Sequence, residues 1–316
     1  MRVSLMIEGQ EGLEWERWLE IAVTCEASGI ETLFSSDHYA PIRRDAFEPV
    51  LDAWTTVAGL AAATNKLKLG VLVSPVTFRH PALLAKTVLT CDHISGGRVE
   101  VGMGAGWYRL EHERFGLPFP PASTRLRLLA EQLEIVKRIW SSENFSFEGE
   151  FYTLTECISY PKPVSSPHPR LIVGGKGGER TMEAAAKWAD EYNTVFAGPK
   201  ECRARRARLN GVCERIGRDP ATLSMSLMTG LVFGESPQDV ARRSREVAKL
   251  QGYDDEEEFG EAVKDSWLIG TPDQIVDSLV QLEEAGVERV MLQHLLHEDF
   301  ETIEALGELV VPALEQ

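Results

Sequence analysis

The chain has 316 residues, with 33 Lys+Arg against 49 Asp+Glu and a formal charge of −16. That length corresponds to about two average domains or one large α/β barrel, ample for a hydrophobic core without disulfide or metal staples. The 43% hydrophobic and 26% charged content excludes a largely disordered chain. The acidic balance argues against nucleic acid as partner, while a small anion held by backbone amides stays open.

Short apolar runs alternate with segments of helical period. Arg2 to Ile7 reads as a strand; Trp15, Trp18, Leu19, Ala22 and Cys25 then fall at helical spacing, and Gly29 ends that helix. Strands follow at Glu31 to Ser35, Leu67 to Val73 and Val99 to Gly104, separated by helices from about Pro49 to Ala63 and Pro81 to Ile94. A helix from about Thr124 to Trp140 precedes a small hairpin over Phe145 to Thr155, turning at Glu148-Gly149. Further strands are expected at Arg170 to Val173, Glu191 to Phe196, Leu223 to Phe233 and Arg289 to Gln293, and a final helix over Asp299 to Leu314. Thr271-Pro-Asp-Gln274 forms a capping box that opens the helix before the last strand. The acidic run Asp254 to Glu258 reads as a solvated helix start or loop. Eight strands, each with a helix, fit a (β/α)8 TIM barrel better than an open sheet. The expected organisation is one barrel domain over 1–316, with insertions at about 105–168 and 234–270.

No stretch approaches the roughly 18 uncharged apolar residues of a membrane span. Glu8 interrupts Val3 to Ile7 before an apolar signal core forms. Five cysteines without a C-x-x-C spacing suit a reducing compartment. A soluble, cytoplasmic protein without a membrane partner is therefore expected.

In such a barrel the chemistry gathers at the carboxyl ends of the strands. After the fifth strand comes Gly174-Gly175-Lys176-Gly177-Gly178 before a helix, reading either as a phosphate cradle of backbone amides or as a permissive turn. It lacks Gly-Lys-Ser/Thr, so it is no nucleotide P-loop. After the fourth strand, Gly104-Ala105-Gly106-Trp107 has the wrong glycine spacing for a dinucleotide fingerprint; it would let a flat ring lie against the backbone with Trp107 beside it. Asp37-His38 stands at the end of the second strand, where His38 is either a proton-handling group or a loop cap. His80, before Pro81, reads as a helix cap, and one of His294 and His297 is a further pocket candidate. Metal motifs and the Gly-x-Ser-x-Gly elbow are missing, so no metal site is expected. A phosphate-bearing planar cofactor carrying the hard chemistry fits these features.

Taken together, Ser36-Asp-His38, Thr77-Phe-Arg79 with Pro81, Asp92-x-x-Ser-Gly-Gly-Arg98, Gly102-x-Gly-x-Gly-Trp107 with Glu111, and Gly174-Gly-x-Gly-Gly-x-Arg-Thr181 resemble the luciferase-like family of flavin and deazaflavin barrel enzymes. The Asp37-His38 turn resembles its F420-dependent oxidoreductase branch. The resemblance implies a cofactor stacked across the mouth, its phosphate on the loop after strand five, and a non-proline cis peptide near Leu72–Val73 behind the ring. It implies His38 as the catalytic candidate. Asp37, His38, Leu72, Val73, Gly104, Ala105, Gly106, Trp107, Gly174, Gly175, Lys176, Gly177 and Gly178 would surround the cofactor. The implied cofactor is F420, moving a hydride between its C5 and a carbonyl, imine or activated C=C; the alternative is FMN in a monooxygenase fed by a separate reductase. A catalytically silent binding barrel is a third reading. The family's sugar-phosphate dehydrogenase carries a glutamate where Trp107 stands, so its reaction is not carried over. A small-molecule substrate and a homodimer or higher oligomer are expected, with Arg43, Arg79, Lys176 and Arg180 supplying a local positive field at the mouth.

Overall fold

The computed structural model describes residues 1–43 and 47–314. β1 (Arg2–Ile7), α1 (Trp15–Ala27), β2 (Thr32–Ser35), α2 (Ala53–Ala63), β3 (Lys68–Pro75), α3 (Pro81–Ser95) and β4 (Val99–Gly104) follow in strict alternation. The first insertion holds α4 (Arg109–Phe115), α5 (Ala122–Ser141) and a hairpin of β5 (Asn144–Glu148) and β6 (Thr153–Ile158). Alternation resumes with β7 (Arg170–Gly174), α6 (Glu179–Trp188), β8 (Glu191–Val195), α7 (Pro199–Arg215) and β9 (Ser224–Phe233). After β9 come α8 (Pro237–Leu250), α9 (Glu256–Val263), the short β10 (Leu268–Gly270), α10 (Pro272–Glu284), β11 (Arg289–Gln293) and α11 (Phe300–Ala305). Strands β1, β2, β3, β4, β7, β8, β9 and β11 pair in parallel in that order, and β11 returns to β1, closing the (β/α)8 barrel.

The strands are apolar on both sides because both sides are covered. Leu5, Leu33, Val71 and Val101 face the helices in the main core. Met6, Phe34, Leu72, Ile172 and Met291 face inward as a packed layer, with Val73 and Met228 against it. Below this layer the amino ends of the strands hold a buried ionic cluster. Arg289, fully buried, donates to Glu100 at 2.7 and 3.0 Å and to Glu191 at 2.8 Å, while Arg170 donates to Glu191 at 2.7 Å. Burial raises the Glu191 pKa, but Arg289 and Arg170 outweigh it and hold it below its ordinary value.

Local chemistry explains where the elements begin. His80 Nδ1 accepts the Ala82 amide at 3.2 Å and so caps α3, with Pro81 in its first turn. Gln274 Oε1 accepts the Thr271 amide at 3.0 Å in the expected capping box of α10. Asp255 caps α9 through the Glu257 and Glu258 amides, so the acidic run is a helix start. Two elements differ from expectation. α2 begins at Ala53 rather than near Pro49, because Asp52 takes the N-cap and accepts the Thr55 amide at 2.8 Å. The final helix breaks after Ala305 into a π turn over Leu306–Val310. There Gly307 lies so close to α1 that an added Cβ would come within 2.0 Å of the Ser28 carbonyl. Among the described residues no helix is long and apolar enough to cross a membrane.

Candidate active site

The carboxyl ends of the eight strands form the mouth. A non-proline cis peptide joins Leu72 to Val73, at the register shift of β3 on β4. The bulge turns Val73 toward three glycines: Cβ atoms added at Gly102, Gly104 and Gly174 would lie 2.8, 2.6 and 2.9 Å from its methyl groups. These glycines are therefore required by the approach of Val73, a reason that reading β4 alone could not supply. Gly106 is required differently, by its φ of +76°. Ala105 holds the outer insertion down, since its carbonyl accepts from Arg125 Nε at 3.1 Å. Trp107 is 64% exposed at the rim.

His38 meets the Trp107 ring edge-on with centroids 5.8 Å apart. Its Nδ1 lies 3.0 Å from Oε1 and 3.1 Å from Oε2 of Glu111, and Glu111 also accepts the Tyr39 amide at 3.0 Å. Glu111 is buried on α4, so this insertion helix orients the imidazole and leaves Nε2 without a hydrogen bond among the described residues. Burial would depress the His38 pKa; the Glu111 bond, with the charges of Glu111, Glu8 and Asp37, reverses this and raises it. Sequence reasoning had Glu111 in hand as part of a motif but did not connect it to His38, because 73 residues separate them.

Asp37 points the other way, into a buried network. Its Oδ2 accepts from Ser74 Oγ at 2.8 Å and from Arg79 at 2.5 Å, and Ser74 Oγ accepts from Trp54 Nε1 at 2.8 Å. Burial pushes the Asp37 carboxyl up, against the pull of Arg79 and Ser74, and Oδ1 has no partner among the described residues. Arg79 also donates to Asp52 and to the Tyr39 hydroxyl at 2.8 Å each. It is thus neutralised by two carboxylates rather than offered to an anion.

The Gly174–Gly178 loop leads into α6. Gly177 has φ +88°, and its amide donates to the Tyr192 hydroxyl at 2.8 Å, which donates onward to the Gly175 carbonyl at 3.0 Å. Gly178 is the N-cap of α6 and offers no side chain, so first-turn amides remain for an anion. Lys176 and Arg180 are exposed beside the loop. Two cations that sequence reading missed approach it from α7: a Cβ on Gly177 would lie 2.8 Å from Arg208 Nη2 and 3.5 Å from Arg205 Nε. Of Arg43, the main-chain amide is held by Glu11 at 3.2 Å. The glycine cradle with Lys176, Arg180 and Arg208 beside it fits a phosphate-bearing group, whereas Arg205 is held by Glu201 at 3.0 Å.

His294, the pocket candidate after β11, is structural. It is 3% exposed, and its Nε2 donates to the Asp299 carbonyl at 3.1 Å. Burial, only partly offset by Asp299, pushes its pKa down to about 4 from an ordinary 6.5. Between those values the unfolded chain binds the extra proton, so this group makes stability fall as pH falls through that window. One proton corresponds to about 1.4 kcal/mol per pH unit. His294→Gln should flatten the urea-unfolding free energy against pH there by up to that slope; an unaltered slope would refute the assignment. His297 is also buried.

The closed parallel barrel thus carries a small-residue cradle on one side of its mouth and a carboxylate-tethered histidine on another. The profile of the luciferase-like monooxygenase family matches residues 1–289, and the chain belongs to that family. It is 30% identical over 284 residues to an FMNH2-dependent dimethylsulfone monooxygenase of Pseudomonas putida, covering 81% of this chain and 77% of that one. It is 28% identical over 235 residues to an F420-dependent glucose-6-phosphate dehydrogenase of Kineococcus radiotolerans, covering 73% and 68%. In fold it is similar to an F420-dependent secondary alcohol dehydrogenase in complex with an F420-acetone adduct, with TM-score 0.81, 21% identity and full coverage of both chains.

Proposed function

We propose that the chain is an F420-dependent oxidoreductase exchanging a hydride with a carbonyl, imine or activated C=C substrate. The observation that carries this reading is the His38–Glu111 pair. A hydride arriving at a carbonyl carbon leaves charge on oxygen, and an imidazole whose pKa a buried carboxylate raises is suited to supply the matching proton. The bound deazaflavin would supply hydride chemistry at its C5. Gly174, Gly175, Lys176, Gly177 and Gly178 would hold its phosphate. Leu72, Val73, Gly104, Ala105, Gly106 and Trp107 would line the space beside the ring. His38 Nε2 would carry the proton, and Glu111 would position and charge the imidazole.

The second reading, an FMN-dependent monooxygenase supplied by a separate reductase, is favoured by the likeness to the dimethylsulfone monooxygenase. Titrating the purified protein with F420 and with FMN separates the two. Tight F420 binding with weak FMN binding is expected; the reverse, with oxygen uptake on reduced FMN, establishes the alternative. Glu111→Gln should move the limb of the rate profile that needs protonated His38 to lower pH, because the main charge raising its pKa is removed. A loss of rate with no movement of that limb would reject His38 as the proton carrier.

A further inference from the structure

The mouth has two unlike halves. Around β3, β4 and β7 it is built of Val73, glycines and backbone; around β8, β9, β11 and β1 it is aromatic and polar. In the closed strand order β8 stands four strands from β2, so Phe196, the residue after β8, lies across the well from the His38 turn. Phe196 holds a φ of +46°, a left-handed conformation costly for a bulky side chain and over-represented at functional sites. Its ring lies nearly parallel to the Trp267 indole, with an interplanar angle of 16° and centroids 6.4 Å apart.

Trp267 comes from the second insertion and covers Gly230 of β9. A Cβ added at Gly230 would lie 2.1 Å from the indole, so only glycine accepts it there. Gly230 shares its face of β9 with Met228, which packs on the inward layer, so the indole sits over the interior of the barrel. Phe259 supports it edge-on from behind at 5.3 Å, and Thr229 Oγ1 donates to the preceding Ser266 carbonyl. Neither Phe196 nor Trp267 is fully buried. Beside Gly230, in register on β11, stands Gln293. It is 1% exposed, its amide donates to Glu8, and its Oε1 has no partner among the described residues.

We propose that Trp267 and Gln293 select the substrate, admitting a flat, uncharged ring that carries an N–H or O–H donor. The inference rests on the reading above, in which the glycine half takes the cofactor and leaves this half to the substrate. The indole supplies a rigid π face for stacking. The open Gln293 oxygen rewards a donor on the ring edge, because a buried acceptor left unpaired disfavours any ring without one. The Glu8 carboxylate, already accepting from Gln293 and from Gln10 at 2.5 Å, repels an anionic substrate.

Saturation-transfer NMR with phenol, anisole and cyclohexanol as probes tests this on the protein with and without bound cofactor. Phenol should bind about tenfold more tightly than either anisole, which keeps the ring but lacks the donor, or cyclohexanol, which keeps the hydroxyl but lacks the π face. Trp267→Ala should weaken phenol about tenfold and Trp267→Phe should not. Gln293→Leu should abolish the preference, weakening phenol and tightening anisole until the two bind alike. Where Trp267→Ala fails to fold, Trp267→Leu fills the space over Gly230 without a π face and carries the same expectation. Equal binding of the three probes, or a folded Trp267→Ala or Trp267→Leu variant with unchanged phenol affinity, overturns the proposal. The cofactor-free arm reads this wall alone, so failure of both F420 and FMN to bind would condemn the functional reading while this selectivity is still measured.

Discussion

Replacing Arg289 by Met should cost about 3–5 kcal/mol of unfolding free energy at pH 7, the range found when one partner of a buried ion pair is removed. Arg289 is fully buried and makes bidentate contact with both Glu100 and Glu191, with its guanidinium 5.2 Å from the centre of the Phe34 ring. Methionine restores most of the volume but leaves two buried carboxylates without their shared cation. The pH dependence separates charge from packing. Arg289 and Arg170 lower the Glu191 pKa against its burial, so that group's stabilisation is present above its ordinary pKa of 4.5 and is lost as pH falls through the folded value. Without Arg289 burial pushes the Glu191 pKa back up, so the difference between wild type and variant should shrink as pH falls toward 4.5. Replacing Glu100 and Glu191 by Leu alongside Arg289→Met should recover much of the loss, since well-packed apolar residues often equal a buried ion cluster. Urea unfolding at two pH values measures all of this. A loss below about 1 kcal/mol in the single variant would mean that the cluster is hydrated and the assignment is wrong.

Gly178→Asp should weaken cofactor binding by about a thousandfold while leaving the fold intact. Gly178 has φ −71° and ψ 136°, and an added Cβ would meet nothing closer than Thr181 Oγ1 at 3.9 Å. Aspartate is a preferred N-cap, so stability should hold or rise by a few tenths of a kcal/mol. A carboxylate placed about 4 Å from a bound phosphate costs on the order of 4 kcal/mol at an effective dielectric of 20, which is roughly three decades of affinity. Gly178→Asn, of the same shape without the charge, should bind nearly as wild type. Gly177 is a poorer place for this test because its φ of +88° makes any side chain strained there. Titration of FMN or F420 by fluorescence reads the result. Equal affinity of the Asp and wild-type proteins would remove the anion from this cradle.

How much of this was legible in the chain depended on distance along it. The barrel was readable because its signals are local: near-continuous apolar strands such as Leu67 to Val73, glycines and caps at the joints, and alternation at about thirty residues. His80 as a helix cap, and the hairpin turning at Gly149, follow from neighbours within a few residues. The site was readable as a set of turns, and unreadable as a set of pairs. Arg289 with Glu100, His38 with Glu111, and Trp267 over Gly230 join residues 37 to 189 positions apart, and no period or spacing announces them. Arg79 illustrates the opposite error: its charge suggests a free cation until Asp37 and Asp52 are seen to neutralise it.

The inward layer of Met6, Phe34, Leu72, Ile172 and Met291 lies beneath the mouth, and the Arg289 cluster seals the end below it. The barrel is therefore a blind well. Any ligand that enters must leave by the same opening, so a product should compete with the incoming substrate in steady-state kinetics.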